Sequence, residues 1–326
     1  MTIGEFELIA RYFDRPARRA ALGVGDDCAL LQPGAGMQLA VSSDMLVEGR
    51  HFLSSVDPAR LGHKALAVNL SDLAACAAQP LAFTLALALP QAEATWLESF
   101  ASGLLALADL HGCELVGGDT TRGPLNICIT VFGEVPTGQA LLRSGARDGD
   151  DIYVSGTLGD ARLALEAFRG TIALPADVFE QARRRMEQPT PRVALGLALR
   201  GIASAAIDIS DGLLGDLGHV LRSSGVGASI DTAVALELLA ARAPGPGQWT
   251  HPDAQRQLGW VLAGGDDYEL AFTAPGRNRD AVRAAARQVN TPVTRIGNIE
   301  TRPGLRLRDA QGWELPNHYV SFDHFA

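Results

Sequence analysis

The sequence predicts a mixed α/β (α+β) protein of two domains, and three observations carry that expectation. Strand-like apolar runs alternate with helical segments along the whole chain. A charged stretch punctuated by Pro136, Gly138, Gly145 and Gly149 interrupts them midway. The 326 residues, 47% hydrophobic and 20% charged, suffice for about two cores rather than one. The boundary is therefore placed between residues 1–137, with a mixed sheet and its helices, and residues 138–326, an α/β domain.

In order along the chain, GEFELIARYFDR has the apolar spacing of a helix. MQLAVSSDML and ITVFGEVP alternate as strands do and end in polar turns. Between them, KALAVNLSDLAACAA predicts a helix apolar on nearly every face, and EATWLESFASGLLALADLHG an amphipathic one. After the break come the strand DIYVSG, a helix following GTLGD, the strand AAIDIS and the helix DGLLGDLGHVLRSSG. A Pro/Gly-rich loop, ARAPGPGQW, the strand YELAFTA and a helix over residues 279–289 follow.

Composition excludes some classes of function. A net charge of -9 gives no broad electrostatic hold on nucleic acid or on an anionic membrane, so an anionic substrate needs metal ions or local arginines. No apolar run approaches the roughly 20 residues of a membrane span, and MTIGEFELIARYF lacks the layout of a signal peptide; a cytoplasmic location is expected. The four cysteines, Cys28, Cys76, Cys113 and Cys128, lie among aliphatic residues without paired metal-ligand spacing and are expected to be buried, inert thiols.

Aspartates carry the chemistry. Asp27, Asp44, Asp119, Asp208 and Asp211 each follow a strand-like run, often beside Gly or Ser. Any one of them reads as an ordinary helix cap; the repetition points to a site. Asp72 sits with Asn69, three residues apart, in what reads as a buried helix, where an unpaired carboxylate is costly. A cation is the economical partner. Scattered oxygen donors suit Mg²⁺, whereas zinc would need grouped His and Cys, and a structural Ca²⁺ site a single acidic loop. Such a set in an acidic chain points to phosphate chemistry without the usual nucleotide signatures, as GxxxxGK[ST], HRD, DFG and the serine elbow are all absent. Arg143 is either a phosphate contact or a solvated linker charge, SGTLGD either a phosphate-binding turn or a plain cap, and His51 either packing beside Phe52 or part of the site of Asp44.

The ordered motifs GDDCALL, SSDMLVEGRHF, KALAVNLSDLAA, LVGGDTTRGPL, RSGARDGD, AIDISDGLLGDLGH, GGDDYELAFT and terminal FDHF resemble the thiamine-monophosphate kinase family over nearly the whole chain. That family is similar to aminoimidazole ribonucleotide synthetase, selenophosphate synthetase and a hydrogenase maturation factor. The resemblance implies a two-domain PurM-like fold, a homodimer through the N-terminal domain, several Mg²⁺ ions, a place for K⁺, and ATP-dependent phosphorylation of thiamine monophosphate. It makes Asp27, Ser42, Ser43, Asp44, Asp72, Asp119, Asp208 and Asp211 metal ligands, directly or through water, and brings Gly118, Asp119, Arg143 and Ser210 to ATP. His51, Asp266 and Phe322 would contact thiamine monophosphate; Asp266 is one methylene shorter than the Glu usual in the family's GGEDYE motif. The N-terminal reactive Cys expected of selenophosphate synthetase and the terminal Cys of the hydrogenase factor are missing. The alternative function is a nucleotide-binding regulatory module that keeps the metals and does not turn over; His51 and Phe322 favour the kinase.

Overall fold

The computed structural model describes residues 5–24, 27–242, 249 and 253–322. Most of the ARAPGPGQW loop, Gly25 and Asp26 of GDDCALL, and the DHF of the terminal motif lie outside the described residues. The chain divides into two compact units, Met1–Leu73 with Ala78–Gly138, and Ala74–Ala77 with Gln139–Ala326.

The first unit begins with α1 (Glu5–Tyr12) and builds a mixed four-stranded sheet. Its strands are β1 (Met37–Val47), β2 (Gln79–Leu89), β3 (Glu114–Arg122) and β4 (Asn126–Pro136), in the order β1-β4-β2-β3. Only the β2–β3 pair is parallel, because α3 (Ala94–His111) makes the crossover between them. The sequence reading overlooked β2, whose QPLAFTLALAL is apolar on both faces and shows little period-two contrast. Helix α2 (Pro58–Ala75) stops three residues earlier than expected, and Ala77 beyond it takes a left-handed φ of 54°. It crosses α3 at two glycines: a Cβ on Gly62 would stand 2.1 Å from Phe100 O, and one on Gly103 1.9 Å from Ala59 O. Close approach is what fixes these residue types.

The second unit is a seven-stranded sheet with helices around it. Strands β5 (Asp150–Ser155), β6 (Ala205–Asp208), β7 (Gly227–Asp231), β8 (Leu270–Pro275), β9 (Val293–Glu300), β10 (Gly304–Arg308) and β11 (Glu314–Leu315) run in the order β11-β10-β7-β9-β5-β8-β6. Strands β7, β9, β10 and β11 were not foreseen; β9 is polar on much of its length and β11 has two residues. Helices α4 (Asp160–Phe168), α5 (Ala176–Glu187), α6 (Val193–Ala198), α7 (Leu213–Ser224), α8 (Thr232–Leu236), α9 (Ala254–Ala263) and α10 (Arg279–Gln288) complete the unit. Every residue of β5 and β6 is buried, including the polar Asp150, Asp151 and Ser155 of β5 and Asp208 at the end of β6.

Among the cysteines, only Cys113 is buried as expected, its thiol pushed up to about 12 by burial; Cys28 and Cys76 are exposed and Cys128 is half-buried. No helix among the described residues is long and apolar enough to cross a membrane.

Candidate active site

The predicted site residues fall into two groups, one in each unit. In the first, Asp44 and Asp119 lie inside β1 and β3 rather than at strand ends, so the expectation of strand-end placement is corrected for both. Pleating decides which neighbours share a face. Ser42 and Asp44 point with buried Leu46, whereas Ser43 is on the opposite face, 3.0 Å from Thr130 Oγ1. Asp72 is half-buried, not fully buried, and its Oδ2 accepts the Ser42 hydroxyl at 2.5 Å. One turn earlier on α2, Asn69 Oδ1 accepts the Asp44 amide at 3.0 Å while its own amide donates to Ala65 O. Asn69 and Asp72 thus both meet β1, as their three-residue spacing on one helix requires.

Asp27, Gly118 and Asp119 line one cavity of about 570 Å³, together with Thr84, Thr120 and apolar Ile9, Phe13, Leu115 and Val116. Gly118 is obligatory there: its φ is 149°, and a Cβ would stand 1.9 Å from Leu85 O on the neighbouring strand. His51 sits in the turn after β1. Its Nδ1 accepts the Val47 amide at 3.0 Å, so this tautomer carries its proton on Nε2; the Lys64 ammonium donates to His51 O at 3.2 Å.

In the second unit, three distant segments converge through main-chain hydrogen bonds. Asp266 N donates to Ser210 O at 2.7 Å, Tyr268 N to Ile209 O at 2.8 Å, and Ile209 N to Glu269 O at 2.8 Å. Phe322 N donates to Asp211 O at 3.0 Å, and Gly215 N to Ser321 Oγ at 2.9 Å. Asp208, Ser210, Asp211, Asp266 and Phe322 are therefore brought together, with Phe322 half exposed at 48%. Arg143 is exposed in the segment before β5; together with Arg222 it helps hold the His219 imidazole below its ordinary pKa, second to burial, while Asp211 pulls the other way.

Sequence reasoning missed the residues that hold this group. Asp216, buried at the start of α7, accepts the amides of Ser210, Asp211 and Gly212 on a single oxygen, at 3.0, 3.0 and 3.1 Å. Burial, and then Asp211, push its carboxyl up to about 7. Asp267 accepts Gly159 N at 3.0 Å, and its complete burial raises its pKa well above the carboxylate range against the pull of Arg185. Both sit inside motifs already quoted; the signal was a third acid in DISDGLLGD and a second in GGDDYE.

Every candidate ligand side chain offers carboxylate or hydroxyl oxygen, the chemistry of a hard dication. Among the described residues, no three His, Cys, Asp or Glu side chains converge closely enough to hold an ion by themselves.

A mixed four-stranded unit followed by a seven-stranded one defines the class. Residues 25–135 match the model of the AIR synthase related protein N-terminal domain, and residues 147–310 that of its C-terminal domain. Within that class, the chain belongs to the thiamine-monophosphate kinase family. It is 47% identical to the thiamine-monophosphate kinase of Salmonella typhimurium and 46% identical to that of Escherichia coli, over 100% of this chain and 99% of each relative. The crystal structure of thiamine-monophosphate kinase from Stenotrophomonas maltophilia superimposes with a TM-score of 0.82 at 46% identity, over 93% of this chain and 94% of that one. AaThiL complexed with AMPPCP and TMP superimposes at 0.74 and 28% identity, over 90% and 89%. A hydrogenase maturation protein, HypE of Escherichia coli, shares the fold at 0.78 with 20% identity, over 98% and 97%.

Proposed function

We infer that this chain transfers the γ-phosphoryl group of ATP to the phosphate of thiamine monophosphate, giving thiamine diphosphate. The observation that carries the reading is end-to-end kinship with thiamine-monophosphate kinases at 46–47% identity, in a chain whose second unit gathers two acids, a serine, Asp266 and Phe322 into one group. A regulatory module has no evident use for the half-exposed Phe322 beside that group.

The ATP end of the reaction is assigned to the cavity of Asp27, Gly118 and Asp119, whose apolar wall suits a base and whose acids suit metal-bound phosphates. Asp27, Ser42, Ser43, Asp44, Asp72 and Asp119 in the first unit, and Asp208 and Asp211 in the second, are the residues that would hold Mg²⁺. Oxygen-only chemistry fits, and phosphate and water oxygens would complete the shell, since among the described residues no three acids do so alone. When bound, such ions neutralise the polyphosphate that a protein of net charge -9 otherwise repels. The place for K⁺ rests on the family resemblance alone.

Arg143 and Ser210 contact the nucleotide phosphates, Arg143 through the planar fork of guanidinium donors that suits phosphate oxygens. His51 offers its Nε2 proton to an acceptor on thiamine monophosphate, the Asp266 carboxylate faces the positively charged ligand, and Phe322 stacks on a ring. The acceptor phosphate is itself the nucleophile, so transfer is in line and forms no phosphoenzyme. Residues 1–137 would also carry the dimer contact. Leu39, Val41 and Met45 project from edge strand β1 at 45%, 56% and 53% exposure, an apolar row that a second copy would cover. The cytoplasm, where ATP is held, is the compartment this activity requires.

The test is incubation of the protein with Mg·ATP and thiamine monophosphate, followed by separation of the thiamine phosphates. Stoichiometric thiamine diphosphate and ADP are expected; ATP binding without turnover would leave the regulatory reading standing.

A further inference from the structure

The Gly265–Tyr268 turn contains two non-glycine residues in the left-handed region, Asp266 at φ 64° and Tyr268 at φ 51°. L-residues hold such angles only where the surroundings over-determine them, and paired outliers of this kind gather at functional positions. The determinant lies one residue further on. Glu269 is fully buried, and its Oε1 accepts Arg185 at 2.6 Å and Arg192 Nη2 at 2.5 Å. Its Oε2 accepts Arg192 Nε at 2.6 Å and the Ser155 hydroxyl at 2.5 Å.

The same groups reach along the turn. Arg185 also donates to Asp267 O at 3.3 Å, Leu270 N donates to Ser155 Oγ at 2.9 Å, and the Asp267 carboxylate accepts Gly159 N. Asp266 N meets Ser210 O at 2.7 Å. A hydrophobic plug would fill this space but would not orient the backbone, whereas the two-pronged Arg192–carboxylate pair has one geometry. Burying one anion among two guanidinium groups is a costly arrangement to keep without a use.

We propose that the Arg185–Glu269–Arg192 clamp consists of positioning residues for Asp266, holding the left-handed turn so that the Asp266 carboxylate is presented to thiamine monophosphate. The inference rests on the reading of Asp266 given above. The clamp touches no reacting atom; its effect is on the Michaelis constant for thiamine monophosphate, not on that for ATP.

Arg192→Lys in the full chain retains the charge and loses the two-pronged pair. Expected are a KM for thiamine monophosphate raised about tenfold, a KM for ATP within about twofold of the parent, and an unchanged circular dichroism spectrum. In an Asp266→Ala background the same change should add less than about twofold, because the residue being positioned has gone. If Asp266→Ala raises the KM for thiamine monophosphate and a folded Arg192→Lys does not, or if the two losses multiply in full, the clamp's role is overturned while Asp266 stands. If Asp266→Ala leaves that KM unchanged, the reading of Asp266 falls and the inference with it. Arg185→Lys, which alters a single bond to Glu269, is the second variant with the same expectation. Failure of both lysine variants to fold would assign the clamp to stability and overturn the proposal.

Discussion

Asp216 holds Asp211 by its backbone: the Asp216 Oδ2 accepts the Asp211 amide at 3.0 Å, and the same oxygen takes the amides on either side. A single carboxylate therefore sets the path of the loop that leaves β6 after Asp208 and carries the candidate ligands Ser210 and Asp211.

Removing that acceptor orphans three amides at once. Asp216→Ala is expected to lower unfolding stability by about 2–4 kcal/mol and to reduce kcat/KM at least about tenfold, since misplacing a site by an ångström is enough for that. Asp216→Asn keeps an acceptor oxygen in place and should recover most of the stability. Urea unfolding and steady-state kinetics on both variants check this, and equal losses in the two would contradict it.

Asp72→Asn separates a structural from a metal-binding role. The Asn can still accept the Ser42 hydroxyl, so stability should stay within about 0.5 kcal/mol of the parent or improve. Turnover should fall at least about a hundredfold, with only partial recovery at high Mg²⁺. Asp27→Asn should act alike, and the double variant should lose much less than the product of the single losses. Near-parental turnover in a folded Asp72→Asn protein would return Asp72 to a purely structural role.

Phe322→Ala removes a side chain that is already 48% exposed, so little stability is at stake. The KM for thiamine monophosphate should rise about tenfold, equivalent to about 1–2 kcal/mol of aromatic contact. An unaltered KM would place the ring outside the substrate's reach.

The exposed row on β1 has a solution test. Val41→Glu puts a charge at its centre, next to Leu39 and Met45. Light scattering should report a dimer for the parent and a monomer for the variant; a monomeric parent would refute the dimer assignment.

Asp160 gives the protein a pH dependence with a defined sign. It is almost completely buried, accepts Thr157 Oγ1 at 2.7 Å and Ala240 N at 3.1 Å, and burial raises its pKa from 3.8 to about 6. A raised folded-state pKa contributes stability that is fully present below pH 3.8 and is lost as the pH climbs through about 6. At 1.36 kcal/mol per unit the effect is on the order of 3 kcal/mol. Stability of the parent minus that of Asp160→Asn should therefore increase by roughly that amount from pH 7 to pH 4. Urea midpoints at the two pH values measure it, and a difference independent of pH would rule it out.

By itself, the sequence determined what local chemistry can determine. Apolar period and residue pattern marked α1, α3, α7 and α10, and Gly/Asp motifs marked the segments at 117–119, which lies within β3, and at 208–211 and 264–269, because residue type at short spacing specifies such donor sets directly. Asn69 and Asp72 could be placed on one face of α2 for the same reason. Tertiary structure decided the rest. Strand β2 is apolar on both faces, so only its pairing between β4 and β3 reveals it as a strand. Ser43 and Ser42 look equivalent in SSD until the pleat sends one to Thr130 and the other to Asp72. The joining of residues 209–211 to 266–269 and to Phe322 is made by main-chain amides and carbonyls, which every sequence possesses and none advertises. For that reason the sequence could nominate Asp211 and Asp266, but it took the folded chain to show that Asp216 and Glu269 hold the segments that carry them.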